Sequence, residues 1–262
     1  MYKCPVCQQP LIKNDRSFIC INHHSFDISK YGYVHLFPSN KSNHGDNDLL
    51  IKARKAFLSN EHYQPLLLKL IDIIDQLSPN SLIDLGCGEG YYTNHLNQIE
   101  HVIGVDLSKR ALQYAAKNSN KQTHQYLLAS IFDVPLQDHL MDVALLIFAP
   151  YPENEVKRLL KEKGYFIEVS PGPLHLYELK QVLYDQVLEN PITLREDLSL
   201  IDFHEVTFMM NLCKEDIHHL FEMTPYRYKT SSLGMQKLYD LHSLKVKAQF
   251  HIRIYSSVSE TK

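Results

Sequence analysis

The chain of 262 residues has no tryptophan, only nine glycines and only five cysteines. It has no uninterrupted apolar stretch long enough to cross a bilayer. Its first residues, Met1-Tyr-Lys-Cys-Pro-Val-Cys7, hold no apolar signal region, so a cytoplasmic protein without a membrane segment is expected. An odd number of cysteines excludes a fully paired disulfide framework. Three of the five, Cys4, Cys7 and Cys20, crowd into the first twenty residues, which fits metal ligation in a reducing compartment. There is no internal repeat and no low-complexity tract. Basic residues are in the minority, giving a net charge of -3, which by itself argues against a polyanion partner. The distribution says more: residues 1–60 carry eight Lys and Arg against four Asp, a balance of +4 that leaves -7 for the rest. The positive end is the better polyanion contact. With 44% hydrophobic residues the chain can bury one large domain and carry a small appendage.

Three of the scarce glycines fall in one run, Leu82-Ile-Asp-Leu-Gly-Cys-Gly-Glu-Gly-Tyr91. An apolar strand there turns into a predicted helix. Gly86, Gly88 and Gly90 permit a tight turn and a close ligand, and the helix N-terminus would offer free N–H groups. The order D-x-G-x-G-x-G, with Asp84 inside the strand, resembles S-adenosylmethionine-dependent methyltransferases of the Rossmann-like class more than a dinucleotide fold. After a second apolar strand, His101-Val-Ile-Gly-Val-Asp106, Asp106 is placed to accept both ribose hydroxyls.

The alternation around this run predicts strands near 81–85, 101–106, 124–129, 141–148 and 164–170, with helices near 89–98, 108–118 and 153–161. A parallel sheet buried on both faces follows. Upstream, Asp48 caps a helix through Phe57, and Leu66, Leu67, Leu70, Ile71, Ile74 and Leu77 recur at helical spacing. Downstream, a long helix is expected from Leu174 to about Leu188, then an antiparallel edge hairpin from 204–212 and 246–256. Residues 1–37 read as a separate small module, 38–47 as a polar linker and 48–262 as the main domain.

Cys4-Pro-Val-Cys7 and Cys20-Ile-Asn-His-His24 give C-x2-C-x12-C-x3-H. This is the pattern of closed tetrahedral zinc sites, in which two thiolates from one knuckle meet a second pair across a hairpin. From the residues alone His23 or His24 completes the set, with spacing favouring His24. A module so short needs the metal to fold. Cys87 and Cys213 read as packing residues.

Two segments bear on the methyl acceptor. The fourth strand ends Ile147-Phe-Ala-Pro-Tyr-Pro152, where enzymes that methylate exocyclic amino groups have Asn or Asp before the prolines. Ala149 removes that acceptor, leaving Tyr151 to stack a base. The turn Ser170-Pro-Gly-Pro-Leu-His175 delivers His175 to the carboxyl edge of the sheet, as a contact or a base. Tyr63, in His62-Tyr-Gln-Pro65, could cover the cofactor.

Taken in order, CPxC…C…H, Phe26-Asp-Ile-Ser-Lys-Tyr-Gly-Tyr33, Gly45-Asp46, Ala53-Arg-Lys-Ala-Phe-Leu58, His62-Tyr-Gln-Pro-Leu66, Asp84-Leu-Gly-Cys-Gly-Glu-Gly-Tyr-Tyr-Thr93, Ala149-Pro150 and Pro171-Gly-Pro-Leu-His175 resemble the bacterial 23S ribosomal RNA (guanine-N1)-methyltransferase family. The resemblance spans nearly the whole chain. It implies a Rossmann-like α/β methyltransferase domain, a zinc module that helps recognise a hairpin of 23S rRNA, and a homodimer clasping that RNA. By matched position it assigns zinc to Cys4, Cys7, Cys20 and His24, and S-adenosylmethionine contacts to Tyr63, Gly88, Glu89 and His175. The motif adds Asp84, Gly86 and Asp106; Tyr151 and His175 are the catalytic candidates. The chain departs from relatives at Lys161-Glu-Lys-Gly164, where Lys-Pro-Gly-Gly is usual, and at Ser130, where an acid often ends the third strand. Ser29-Lys-Tyr-Gly-Tyr-Val-His35 interleaves aromatics and cations as contacts to splayed RNA bases would. A small-molecule methyltransferase and a non-catalytic RNA-binding scaffold are the rival readings.

Overall fold

The computed structural model describes residues 1–37 and 48–256; the expected linker at 38–47, Gly45 and Asp46 with it, and the last six residues lie outside the described residues. Strands β1 (Leu11–Asn14), β2 (Ser17–Cys20) and β3 (Ser25–Asp27) form a small antiparallel sheet. The chain then enters the large sheet. β4 (Tyr33–His35) runs parallel to β7 (His124–Leu128), Val34 opposite Leu127, and is its outer strand. The N-terminus docks as well: the Lys3 N–H donates to the Pro135 carbonyl at 2.9 Å, and the Gln137 N–H to that of Met1 at 2.9 Å.

Helices α1 (Asp48–Ser59) and α2 (Gln64–Leu77) follow. In α2, Pro65 sits in the first turn, where its missing N–H costs nothing, and Leu66, Leu67, Leu70, Ile73 and Ile74 are buried. β5 (Ser81–Leu85), β6 (His101–Asp106), α3 (Lys109–Lys117), β7, β8 (Met141–Ile147), α4 (Glu153–Leu159) and β9 (Leu160–Pro171) supply the βαβ alternation. After α5 (Tyr177–Leu183) come β10 (Ser199–Cys213), α6 (Lys214–Glu222), α7 (Ser232–Tyr239) and β11 (Ser243–Ser256). The sheet order is β10-β11-β9-β8-β5-β6-β7-β4, parallel from β4 to β9 and antiparallel at β11 and β10. This is the Rossmann-like methyltransferase fold with its C-terminal hairpin at the edge.

Both sheet faces are covered. Leu82, Val143, Leu145, Ile167 and Ile252 pack with α2, α5 and α6 in one core. Ile83, Leu85, Ala144, Leu146 and Phe166 share the other with α4 and with Tyr2, Cys4, Leu11, Phe18 and Cys20. The cysteine end of the chain is therefore part of a sheet core.

Several expected elements are corrected. No α-helix spans 89–98; the glycine run leads only to a 3-10 turn at Thr93–His95. Gly90 has φ 78°, and a Cβ there would lie 2.8 Å from that of Ala115. Asn94 is drawn into tertiary bonds, donating to the Ala115 carbonyl at 3.2 Å and accepting from the Tyr126 hydroxyl at 2.6 Å. The helix expected to run from Leu174 to Leu188 is confined to α5, because the Lys180 ammonium bonds the Leu188 carbonyl at 3.1 Å and Asn190 Oδ1 at 2.8 Å, turning the chain back. β9 begins at Leu160 rather than 164, directly after α4. Leu160 pairs with Met141 and Tyr165 with Val143, so residues 161–164 form an irregular bulge in the ladder to β8. The hairpin strands are also longer than the expected 204–212 and 246–256.

Candidate cofactor cavity and zinc cluster

Two backbone knuckles present the metal set. In the first, the Gln8 N–H donates to the Cys4 carbonyl at 2.8 Å, with Gln8 at φ 61°. In the second, the His23 N–H donates to the Cys20 carbonyl at 2.9 Å, with His23 at φ 63°. His23 thus serves as the left-handed turn residue and stays exposed, while His24 turns inward. His24 Nδ1 lies 3.6 Å from Cys4 Sγ and 3.4 Å from Cys20 Sγ, and Cys7 Sγ lies 3.7 Å from Cys20 Sγ. All four donor atoms fall within 4.8 Å of one another. A tetrahedron with zinc–ligand bonds of about 2.0–2.3 Å has edges of roughly 3.3–3.8 Å, so the donors fit a structural zinc ion. The Gln9 backbone N–H helps hold the Cys7 thiol down at about 6, toward the thiolate a metal requires.

The second site is a cavity of about 450 Å³ at the carboxyl ends of β5, β6 and β8, with Arg54 and Leu58 of α1 on its wall. Gly86, Gly88 and Gly90 all have positive φ. At Gly86 a Cβ would come within 2.9 Å of Ala149, so glycine lets the β5 and β8 loops touch. The Gly88 N–H donates to Asp106 Oδ2 at 2.9 Å and the Ser108 N–H to Oδ1 at 2.6 Å, which fixes Asp106 at the rim. Arg54 of α1 donates to Glu89 at 2.8 Å. Asp84 is buried; the Thr93 hydroxyl donates to Oδ2 at 2.5 Å, and Oδ1 has no partner among the described residues. Burial raises its pKa to about 7, with the charges of Asp106 and Glu89 adding to the effect. A buried, half-satisfied carboxylate on a cavity wall calls for a cation. Glycine cradle, rim carboxylate and orphan oxygen together fit the charged amino acid and ribose of S-adenosylmethionine.

A family model described as "RlmA, N-terminal" matches residues 2–43, and one described as "Methyltransferase domain" matches residues 78–224. The 23S rRNA (guanine(748)-N(1))-methyltransferase of Streptomyces fradiae is 32% identical over 69% of this chain and 67% of its own length. The chain belongs to the 23S rRNA (guanine-N1)-methyltransferase family. A Micromonospora griseorubida protein with a name of the same kind is 31% identical over 68% of each chain. A Bacillus subtilis relative, "Putative 23S rRNA (guanine-N(1)-)-methyltransferase YxjB", is 26% identical over 97% of this chain and 96% of its own.

In this guanine-N1 methyltransferase family member, Tyr63, Asp84, Gly86, Gly88, Glu89 and Asp106 all line the cavity. His175 does not. Its ring packs 4.7 Å from Phe250 and 6.2 Å from Tyr63, and its Nδ1 accepts the Gln249 N–H at 3.2 Å. Burial, with the Lys180 charge, lowers its pKa to about 3, so it stays neutral and makes a poor base. Tyr151 is also off the wall. Its hydroxyl donates to Asp197 at 2.8 Å and the Arg195 guanidinium covers its ring at 4.1 Å, so neither edge nor face is open to a base. Ser130 accepts the Phe132 N–H at 3.1 Å and shapes the turn that puts Ile131 and Phe132 on the wall. Cys87 is pushed up by burial and stays a thiol; Cys213 is exposed rather than packed, its Sγ donating to Asp216 at 3.2 Å.

Sequence reasoning missed Arg54, Tyr92, Phe132 and Phe148 as wall residues. Phe148 is 45% exposed and sits at φ 55°, a conformation costing a non-glycine residue about 1–2 kcal/mol. Its place beside Ala149-Pro150 was the available signal; the left-handed turn that aims it was not legible. Arg54 lies in the motif block 53–58, and Tyr92 comes two residues after Gly90.

Proposed function

We propose that this protein transfers the methyl group of S-adenosylmethionine to N1 of a specific guanine in a hairpin of 23S rRNA. What carries the reading is the joining of a zinc cluster to a cofactor cavity through one sheet, β4 tying the first to the second, in a chain whose named relatives act on that base. When bound, the cofactor supplies an electrophilic methyl on a sulfonium. The free oxygen of Asp84 meets its cationic end, the Asp106 carboxylate takes the ribose hydroxyls, and Tyr63 closes the wall with His175 behind it. Phe148 offers the incoming base an apolar face that Tyr151 does not. The N1 proton of guanine leaves as the methyl arrives, so the acceptor side needs either a base or stabilisation of charge at O6.

Residues 1–37 serve in this reading as the zinc-binding RNA-recognition module, 38–47 as linker and 48–262 as the methyltransferase domain. The protein works in the cytoplasm as a homodimer. No helix among the described residues is long and apolar enough to cross a membrane, and the outer strand β10 leaves Leu200, Ile201, Phe203 and Met209 exposed beside a strand edge that has no partner among the described residues, a surface suited to a second subunit. Light scattering at micromolar concentration should give twice the chain mass; a monomer would remove the dimer from the reading. The chemistry is tested by incubating the protein with labelled S-adenosylmethionine and unmodified 23S rRNA. Label recovered as N1-methylguanine supports the reading, and label appearing only on small molecules would replace it.

A further inference from the structure

The segment from Leu107 to Phe132 contains four cations, Lys109, Arg110, Lys117 and Lys121, and no carboxylate. All four are exposed. They continue a line that starts at β4: the Lys121 ammonium would lie 3.7 Å from a Cβ at Gly32, next to Lys30 and Tyr31, and Lys109 is close enough to His35 to oppose its protonation after burial has already done so. The line ends at Tyr114 of α3. The Lys55 ammonium lies 4.4 Å from its ring centre and the Arg110 guanidinium 5.1 Å. Beside Tyr114 a cleft of about 300 Å³, with Asn94, Asn118 and His95 on its walls, shares Leu58, Glu89 and Tyr91 with the cofactor cavity.

Several cations elsewhere are paired, Lys3 with Asp138, Lys69 with Asp72, Lys157 with Glu153, Arg158 with Glu155 and Lys161 with Asp142, while others that form no ion pair among the described residues, such as Lys163, Lys229 and Lys245, stand on separate segments of the chain. Lys30, Lys55, Lys109, Arg110, Lys117 and Lys121 form no ion pair among the described residues. In a protein of net charge -3, six unpaired cations in a line from the zinc end to the cavity mark a place for a polyanion. The aromatic ring and polar cleft at its end suit a nucleotide, whose base stacks and whose edges hydrogen-bond.

We propose that this strip is the track for the RNA strand beside the target guanine, with phosphates on the cations of α3 and one flanking nucleotide in the cleft at Tyr114. The proposal rests on the rRNA reading above. Its test uses the full-length zinc-loaded protein, the triple variant R110E/K117E/K121E, and a control triple K163E/K229E/K245E at basic residues away from α3. Affinity for unmodified 23S rRNA is measured against potassium chloride concentration, with cofactor affinity and zinc content measured in parallel. The α3 triple should bind at least tenfold more weakly, with a log–log salt slope shallower by about two to three, and with cofactor affinity and zinc unchanged. Y114A should lose several-fold affinity at an unchanged slope, and Y114W should recover it. A triple variant matching wild type in affinity and slope, or matched by the control triple, would overturn the track. So would normal methylation of naked rRNA combined with lost methylation of ribosomal particles, which would make the strip a contact for an acidic protein. If wild-type protein methylates no RNA the underlying reading fails; if it does and the α3 variants match it, only the track fails.

Discussion

The two ends of this molecule solve the same problem by different means. The methyltransferase sheet holds itself together with apolar residues buried on both faces, whereas residues 1–37 have three short strands of their own, lend β4 to that sheet, and bury a handful of side chains that complete a core only by leaning on it. Burying an apolar side chain contributes about 1.5–3 kcal/mol, so a few cannot offset the ordering entropy of a 37-residue module, and a structural zinc site contributes about 10–16 kcal/mol. One region is stable because of what it buries, the other because of what it binds. The contrast extends to function: the cavity wall uses no residue from 1–37.

The largest effect should therefore separate the two ends. C20S, or stripping zinc with a chelator, should unfold the first 37 residues and lower rRNA methylation by at least about 100-fold, while cofactor affinity by calorimetry changes less than about threefold. Equal loss of both would show that the ends are one folding unit. Next comes D84N, which removes the charge that meets the cofactor; affinity should fall about 10- to 100-fold with zinc content unchanged, the loss expected for a buried charged hydrogen bond of about 1.5–3 kcal/mol. The same residue makes the cavity end pH-sensitive. Burial raises the Asp84 pKa from 3.8 to about 7, so the unliganded fold is most stable with the group protonated and loses stability as pH rises through that interval. Thermal melts from pH 5 to 8 should show that slope in wild type and a flatter one in D84N, and the thermal shift from cofactor should grow above pH 7. Smaller again, F148A should reduce kcat/KM for RNA about tenfold with cofactor affinity unchanged, F148Y restoring most of it. The smallest effect is at the seam. The Lys3–Asp138 pair is partly exposed, so K3A should cost less than about 1 kcal/mol and leave both activities intact.

Much of this could be read from the sequence where chemistry forces a pattern. The strands at 81–85 and 101–106 coincide with β5 and β6, because an apolar run ending in an acid beside glycines has few other ways to fold. The zinc set was legible because its spacing is dictated by bond geometry. What failed depended on tertiary partners. Thr93 and Asn94 are good enough helix residues in isolation, yet Thr93 bonds Asp84 and Asn94 bonds Tyr126, so no helix follows the glycines. His175 lies on the turn that the sequence suggested, but Tyr63 and Phe250 stand between it and the cavity. Nor did Tyr33-Val-His35 announce itself as a strand of the large sheet; its partner β7 lies some ninety residues away in sequence.

The most direct test of the central claim is nucleoside mass spectrometry of 23S rRNA from cells lacking this protein, before and after treatment with purified zinc-loaded protein and labelled S-adenosylmethionine. One labelled N1-methylguanine is expected, absent before treatment and absent when C20S replaces the wild type. Labelled RNA without N1-methylguanine, or no labelled RNA from a protein that binds the cofactor, would contradict the claim.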